Sequence, residues 1–145
     1  MKKRILFLNE TSSIGGAENS LFYLIKYLDK DKYEPVVVLP EDGVLAKRLR
    51  VINIKVNILK LPKSIFLSTS VFGKRLYNPL AFIKQIFNMV VSLLRLYKFV
   101  RRERIDLIHS NSMNANMWWA APLGVLSKIP VVWHVRDILP DGNKK

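Results

Sequence analysis

Short apolar runs alternate with stretches of helical spacing along the whole chain, and that alternation restricts its fold more than any other feature. Arg4-Ile5-Leu6-Phe7-Leu8-Asn9, Val36-Val37-Val38-Leu39, Ile105-Asp106-Leu107-Ile108-His109 and Val131-Val132-Trp133-His134-Val135 read as strands buried on both faces. Ile52, Ile54, Val56 and Ile58 alternate with Asn53, Lys55 and Asn57, the pattern of a strand with one wetter face. Between them lie helical segments: Ala17 to Leu28, with Leu21, Leu24, Ile25 and Leu28 on one face; Val44 to Leu49; and Asn114 to Ser127, which carries Trp118 and Trp119. A long basic amphipathic helix occupies residues 78–104, with Asn78 as cap and Pro79 at its first position. The sequence therefore predicts an α/β fold: a single Rossmann-like domain over residues 1–145, its parallel sheet covered by helices on both faces. Residues 62–79, with Pro62, Ser64, Ser68, Ser70, Gly73 and Pro79, predict a mobile loop.

Composition narrows the chemistry. The chain has no cysteine, which excludes a disulfide scaffold, cysteine-ligated zinc and thiol catalysis, and fits a reducing compartment. Met1-Lys2-Lys3-Arg4 leads into too short an apolar run for a secretory signal. An uninterrupted apolar run of about eighteen residues is also missing, which disfavours a conventional transmembrane helix. No carboxylate pair, metal cluster or nucleophile triad can be assembled, so no catalytic base is assigned and no metal or other cofactor is expected. The formal charge is +13, and its placement is uneven. Residues 43–104 carry 14 basic side chains and one acidic, Glu103, so the middle of the chain supplies the whole excess. Such a block suits a phosphate-rich partner or a solvated basic face. It lacks a nucleic-acid recognition motif and an aromatic stacking platform, which disfavours nucleic acid.

Doubly wound sheets bind ligands beyond the carboxyl ends of their strands. Three loops are thereby nominated: Glu10 to Glu18, Ser110 to Asn116, and His134-Val135-Arg136-Asp137. Gly15-Gly16 directly precedes a helix, where backbone N–H groups and the helix dipole can receive an anion. A tight turn needing a positive φ explains the pair equally well. Neither the G-x-G-x-x-G fingerprint nor the Walker lysine pattern is present.

Ile14-Gly15-Gly16-Ala17-Glu18, set between a first strand and an apolar helix, resembles the N-terminal signature of the retaining glycosyltransferases of family 4, two-domain enzymes of GT-B architecture. Asp106-Leu107-Ile108-His109-Ser110-Asn111-Ser112 resembles the family's D-x-I-H-x-N strand end. Pro130-Val131-Val132-Trp133-His134-Val135-Arg136-Asp137 resembles its P-x-V-x-x-H-x-R-D strand. The resemblance covers the chain as the N-terminal, acceptor-side half of a GT-B enzyme. It implies that Gly15 and Gly16 close over the donor's diphosphate, that Glu18 fixes their loop, and that His134 lies at the donor sugar as the catalytic-site histidine. It further implies that His109 and Asn111 line the cleft and that Arg136 and Asp137 contact acceptor or phosphate. The nucleotide-binding residues of the family, an E-x7-E pattern and a basic pair, have no counterpart among residues 1–145. The expectation is a chain inactive by itself that works with a C-terminal GT-B domain, in the same or a second chain, and with a nucleotide-sugar as donor substrate.

The long helix suggests where that work occurs. Lys84, Asn88, Ser92, Arg95, Lys98 and Arg102 form one polar stripe, and the apolar arc around it is wider than a core-facing side requires. Lys74, Arg75, Arg95, Lys98, Arg101, Arg102 and Arg104 suit an anionic membrane surface. The expected location is cytoplasmic, peripheral at the inner membrane face, with a lipid-linked or polysaccharide acceptor. The alternative is a non-catalytic module of the same fold that anchors or recruits a partner at a membrane. For Trp118 and Trp119, core packing outweighs stacking on a sugar.

Overall fold

The computed structural model describes residues 2–62, 68–71, 74–77 and 79–134, with the backbone alone at 68–71 and 74–77. In chain order the elements are β1 (Lys3–Leu8), α1 (Gly16–Lys26), β2 (Tyr33–Leu39), α2 (Val44–Val51), β3 (Lys55–Ile58), β4 (Ser68–Val71), β5 (Lys74–Tyr77), α3 (Pro79–Arg102), β6 (Leu107–Ser110), α4 (Met113–Ala115), a π-helical turn (Asn116–Ala120), α5 (Ala121–Ser127) and β7 (Val131–Trp133). The main sheet runs β3-β2-β1-β6-β7 with every pair parallel. Its order reverses between β1 and β6, so the crevice beyond their carboxyl ends is the topological switch point.

The apolar runs are explained by the two cores that the sheet separates. Leu6, Leu8, Val36 and Val38 point to one face and meet Leu96, Phe99 and Val100 of α3, with Trp119 and Leu123. Ile5, Phe7, Val37 and Leu39 point to the other face and meet Leu21, Phe22 and Ile25 of α1, with Leu45 and Leu49 of α2. Full burial of such a side chain contributes about 1.5–3 kcal/mol, which favours apolar residues on both faces of β1 and β2.

Several local expectations need correction. The strand expected from Ile52 starts only at Lys55, because Ile52 and Ile54 give their N–H groups to Leu49 O and Asn53 takes a left-handed φ of 59° to end α2. Within 62–79, β4 and β5 pair antiparallel from Ser68↔Tyr77 to Val71↔Lys74. β-branched Thr69 and Val71 suit strand backbone, a signal outweighed in the sequence by the surrounding serines. The remaining residues of that segment, and the cap position Asn78, lie outside the described residues. On α1, Leu24 is exposed and Phe22 is buried in its place, its ring covered by the Arg48 guanidinium at 4.2 Å. Ser92, expected on the polar stripe of α3, is buried. Trp119 is buried and Trp118 half-buried against the α3-side core. The π turn places one extra residue in that helix, rotating α5 by about 100° relative to α4.

Glu103, the sole acid of the basic block, closes the opposite end of the sheet. Its carboxylate pairs with Lys55 Nζ (3.1 Å), Arg4 Nη2 (3.2 Å) and Arg102 Nη2 (3.3 Å), and its carbonyl accepts from Arg4 Nη1. The Lys55 ammonium, then Arg4 and Arg102, hold the Glu103 carboxyl below its ordinary range, against the opposing effect of burial.

Candidate functional site at the sheet switch point

β1 and β6 are in register at Leu8↔Ser110, so the next residues along each strand, Asn9 and Asn111, must meet. Both are buried. Asn9 Nδ2 donates to Thr11 O at 2.9 Å and to Glu18 Oε1 at 3.2 Å, and Thr11 Oγ1 donates to the same carboxylate oxygen at 3.1 Å. Asn111 Nδ2 donates to Asn9 Oδ1 at 2.9 Å and to the Ala17 carbonyl at 3.2 Å. Both amide orientations follow from this network, because each NH2 group faces two acceptors. One acceptor is left over. Asn111 Oδ1 is buried with no hydrogen-bond partner among the described residues, a state that costs about 1–3 kcal/mol.

The glycine loop is tied down from three sides. Glu18 joins it to Asn9 and Thr11, and the Ala17 carbonyl joins it to Asn111. Ser12, fully buried, joins it to α2: its Oγ accepts from Gly43 N (3.0 Å) and Ala46 N (3.3 Å), and its carbonyl accepts from Leu45 N (3.0 Å). Gly15 has an extended backbone, φ −138°, so the positive-φ explanation of the pair does not hold there. A Cβ there would lie 2.7 Å from Glu18 Oε2, the end of a flexible side chain, so a larger residue would displace that carboxylate from the loop it braces. At Gly16 a Cβ would meet nothing within 4 Å, so packing within the domain does not require glycine at that position. No side chain caps α1, which leaves its first-turn N–H groups and positive dipole end open.

The two histidines come together one strand away. His109 is buried on the α1 face with its ring 5.1 Å from that of Phe7, its register partner. His134 is exposed just beyond β7, its N–H donating to Ser110 O at 2.9 Å and its ring meeting His109 edge-on at 5.7 Å. It is therefore not a core histidine. Gly15, Glu18 and Asn111 thus form one connected group, and His109 and His134 an adjoining pair. Arg136 and Asp137 lie outside the described residues. Asn9, Thr11 and Ser12 were not singled out by their sequence, and the available signal was an amide directly after an apolar strand. Among the described residues there is no group of three or more His, Cys, Asp or Glu that could hold a metal.

α3 reaches this end of the sheet. At 24 residues it is about 36 Å long, against about 20 Å for β1, so it overhangs the strands. Ser92, Leu96, Phe99 and Val100 anchor its second half, whereas none of residues 79–91 is buried. Because α3 runs antiparallel to the strands it connects, the unburied half projects beyond their carboxyl ends. Leu80, Ile83, Phe87, Val90 and Leu94, at alternating steps of three and four, are 49–78% exposed. By length and composition α3 could cross a bilayer, but its second half is committed to the core. Arg95, Lys98, Arg101, Arg102 and Arg104 are exposed, and Lys74 and Arg75 open β5.

The sequence matches the model of Glycosyltransferase Family 4 over residues 14–144. No curated protein matches it significantly. Among solved structures, Anabaena Alr3699/HepE in complex with UDP aligns over 99% of this chain and 31% of its own, with TM-score 0.65 and 22% identity. A glycosyltransferase from Rickettsia africae aligns over 96% of this chain and 32% of its own, with TM-score 0.64 and 18% identity. A UDP-N-acetylglucosamine 2-epimerase aligns over 99% and 36%, with TM-score 0.59 and 17% identity. The chain spans about a third of the length of these proteins, and at such identities the likeness is one of fold: a Rossmann-like parallel sheet with helices, as in GT-B glycosyltransferases. With the family match running over most of its length, the chain belongs to Glycosyltransferase Family 4.

Proposed function

We propose that this domain is the acceptor-binding half of a glycosyltransferase that moves a sugar from a nucleotide-sugar to a lipid-linked or polysaccharide acceptor at a membrane. The observation that carries the reading is the glycine loop. It is held rigidly by Asn9, Thr11 and Asn111, yet presents uncapped helix N–H groups beside a Gly16 that packing does not require. A C-terminal GT-B domain, in the same polypeptide or a second chain, holds the nucleotide, and this chain does not transfer sugar without it. As the domains close, the N–H groups at Gly15, Gly16 and Ala17 receive the departing diphosphate, fixed dipoles aimed at charge that develops in the transition state. Glu18 holds the loop from beneath. His134, with His109 behind it, orients the donor sugar, Asn111 lines the cleft, and Arg136 and Asp137 contact acceptor or phosphate.

The unburied apolar half of α3 supports the membrane part of the reading, and to Lys74, Arg75, Arg95, Lys98, Arg101, Arg102 and Arg104 we assign the attraction to anionic headgroups at the cytoplasmic side. Each cation near such a surface contributes about 1 kcal/mol. The test is sugar transfer from labelled nucleotide-sugars to membrane lipid extract, with the nucleotide-binding domain present. Gly16→Pro and His134→Ala should abolish transfer while vesicle binding persists. Unchanged transfer in both variants sinks the reading, and vesicle binding with no transfer by the wild type points to an anchoring module instead.

A further inference from the structure

A groove of about 360 Å³ runs between α3 and the segment that leaves β3. Its walls carry two cations, Lys60 on one side and Arg95 on the other; Leu61, Pro62 and Val91 supply apolar surface, and Asn88 and Ser92 complete the lining. Lys60 and Arg95 are exposed, and among the described residues neither makes an ion pair with a carboxylate. Residues 43–102 contain no Asp or Glu, and none of the described residues lining the groove is a carboxylate, so its walls are net positive. Leu61 and Pro62 are also the wall of a much narrower recess, about 10 Å³, whose other sides are Glu10, Pro40, Asn114 and Trp119. Glu10 lies between Asn9 and Thr11, the two residues that hold the glycine loop through Glu18. The groove therefore lies one wall away from the switch-point site, and its other side is the α3 overhang.

We infer that this groove binds the phosphate head of a single-chain anionic amphiphile, the head between Lys60 and Arg95 and the first methylenes along Leu61, Pro62 and Val91. The inference rests on the acceptor-domain reading above and deepens it, since it assigns the acceptor a phosphate-bearing lipid head and a place to hold it. Charge complementarity selects this occupant. A neutral apolar chain would leave two cations unpaired, and a free phosphate would leave the apolar surface uncovered. Two charge-assisted contacts in a half-open groove correspond to about a tenfold loss of affinity for each cation removed.

The experiment is calorimetric titration of the whole chain with decyl phosphate below its micelle concentration, beside decanol and inorganic phosphate. The expected result is saturable binding of decyl phosphate, far weaker binding of the other two, and about a tenfold loss in each of Lys60→Gln and Arg95→Gln. Both substitutions are at exposed positions and leave the core intact. Wild-type affinity in both variants, absence of saturable binding, or equal binding of inorganic phosphate overturns the inference. So does a chain that self-associates and takes decyl phosphate only when diluted, which would give the groove to a second copy. A separate variant, Ile83→Asp with Phe87→Asp, alters the overhang outside the groove. It should stop binding to phosphatidylcholine vesicles containing phosphatidylglycerol and keep decyl phosphate binding. If its vesicle binding persists, the membrane reading of α3 fails while the groove stands.

Discussion

Replacing Asn9 by alanine removes the central member of the switch-point network, and the cost can be worked from its bonds. Asn9 makes two neutral hydrogen bonds, to Thr11 O and from Asn111 Nδ2, and one to the Glu18 carboxylate. At about 1 kcal/mol for each neutral bond and about 2 for the charged one, the gross loss is about 4 kcal/mol. Glu18 is only half-buried, so water recovers part of its share, and the expected net loss is about 3 kcal/mol. Urea unfolding followed by tryptophan fluorescence reads this directly. With a slope of about 2 kcal/mol per molar, the midpoint should fall by about 1.5 M. Asn111→Ala removes the partner of one of the same bonds, so the double variant should cost about 1 kcal/mol less than the sum of the singles. A loss below about 1 kcal/mol for Asn9→Ala, or strict additivity with Asn111→Ala, would refute the claim that these residues act as one network.

The same geometry sets other outcomes. Gly124→Ala would place a Cβ 2.2 Å from Val131 Cγ2 and 3.1 Å from the Ile129 carbonyl, and because valine is stiff at χ1 the last strand must shift. A loss of about 1–3 kcal/mol in urea unfolding checks it. Glu103, whose folded pKa is lowered from 4.5, contributes stability that is present above that value and lost as pH falls through the folded one. The urea midpoint should therefore drop on acidification below about pH 4.5, and Glu103→Gln should flatten that part of the profile. Lys128 caps α5 at φ 57°, where a side chain costs about 1–2 kcal/mol. Against the extra chain entropy of glycine, Lys128→Gly should raise stability by about 0.5 kcal/mol, measured the same way.

Strand identity was legible where both faces are covered by apolar side chains: Ile5 to Leu8 of the central β1 and Val36 to Leu39 of its neighbour β2 are apolar at every residue, whereas β6 on the other side carries buried His109 and Ser110. Ser112 was legible as a cap because that bond is local, to the N–H of Ala115 at 3.2 Å. Ile52 and Ile54 misled because alternation over a few residues does not reveal that a helix end has already claimed their N–H groups. Leu24 misled for a related reason, since Phe22 buries more area on the same helix and draws Arg48 over its ring.

The sequence by itself determined the layer architecture and the strand ends where polar residues gather, because these depend on local periodicity, and its match to the family model over residues 14–144 gives the family. Only the tertiary structure decided which of those polar residues share hydrogen bonds. Asn9 and Asn111 are 102 positions apart and meet because β1 and β6 are neighbours in register. It likewise decided that Glu103 is buried among Lys55, Arg4 and Arg102, and that α3 is core in its second half and unburied in its first. Composition alone points the wrong way, since the unburied half carries one cation, Lys84, and the core half carries Arg95, Lys98, Arg101 and Arg102; the length of the strands beneath them decides.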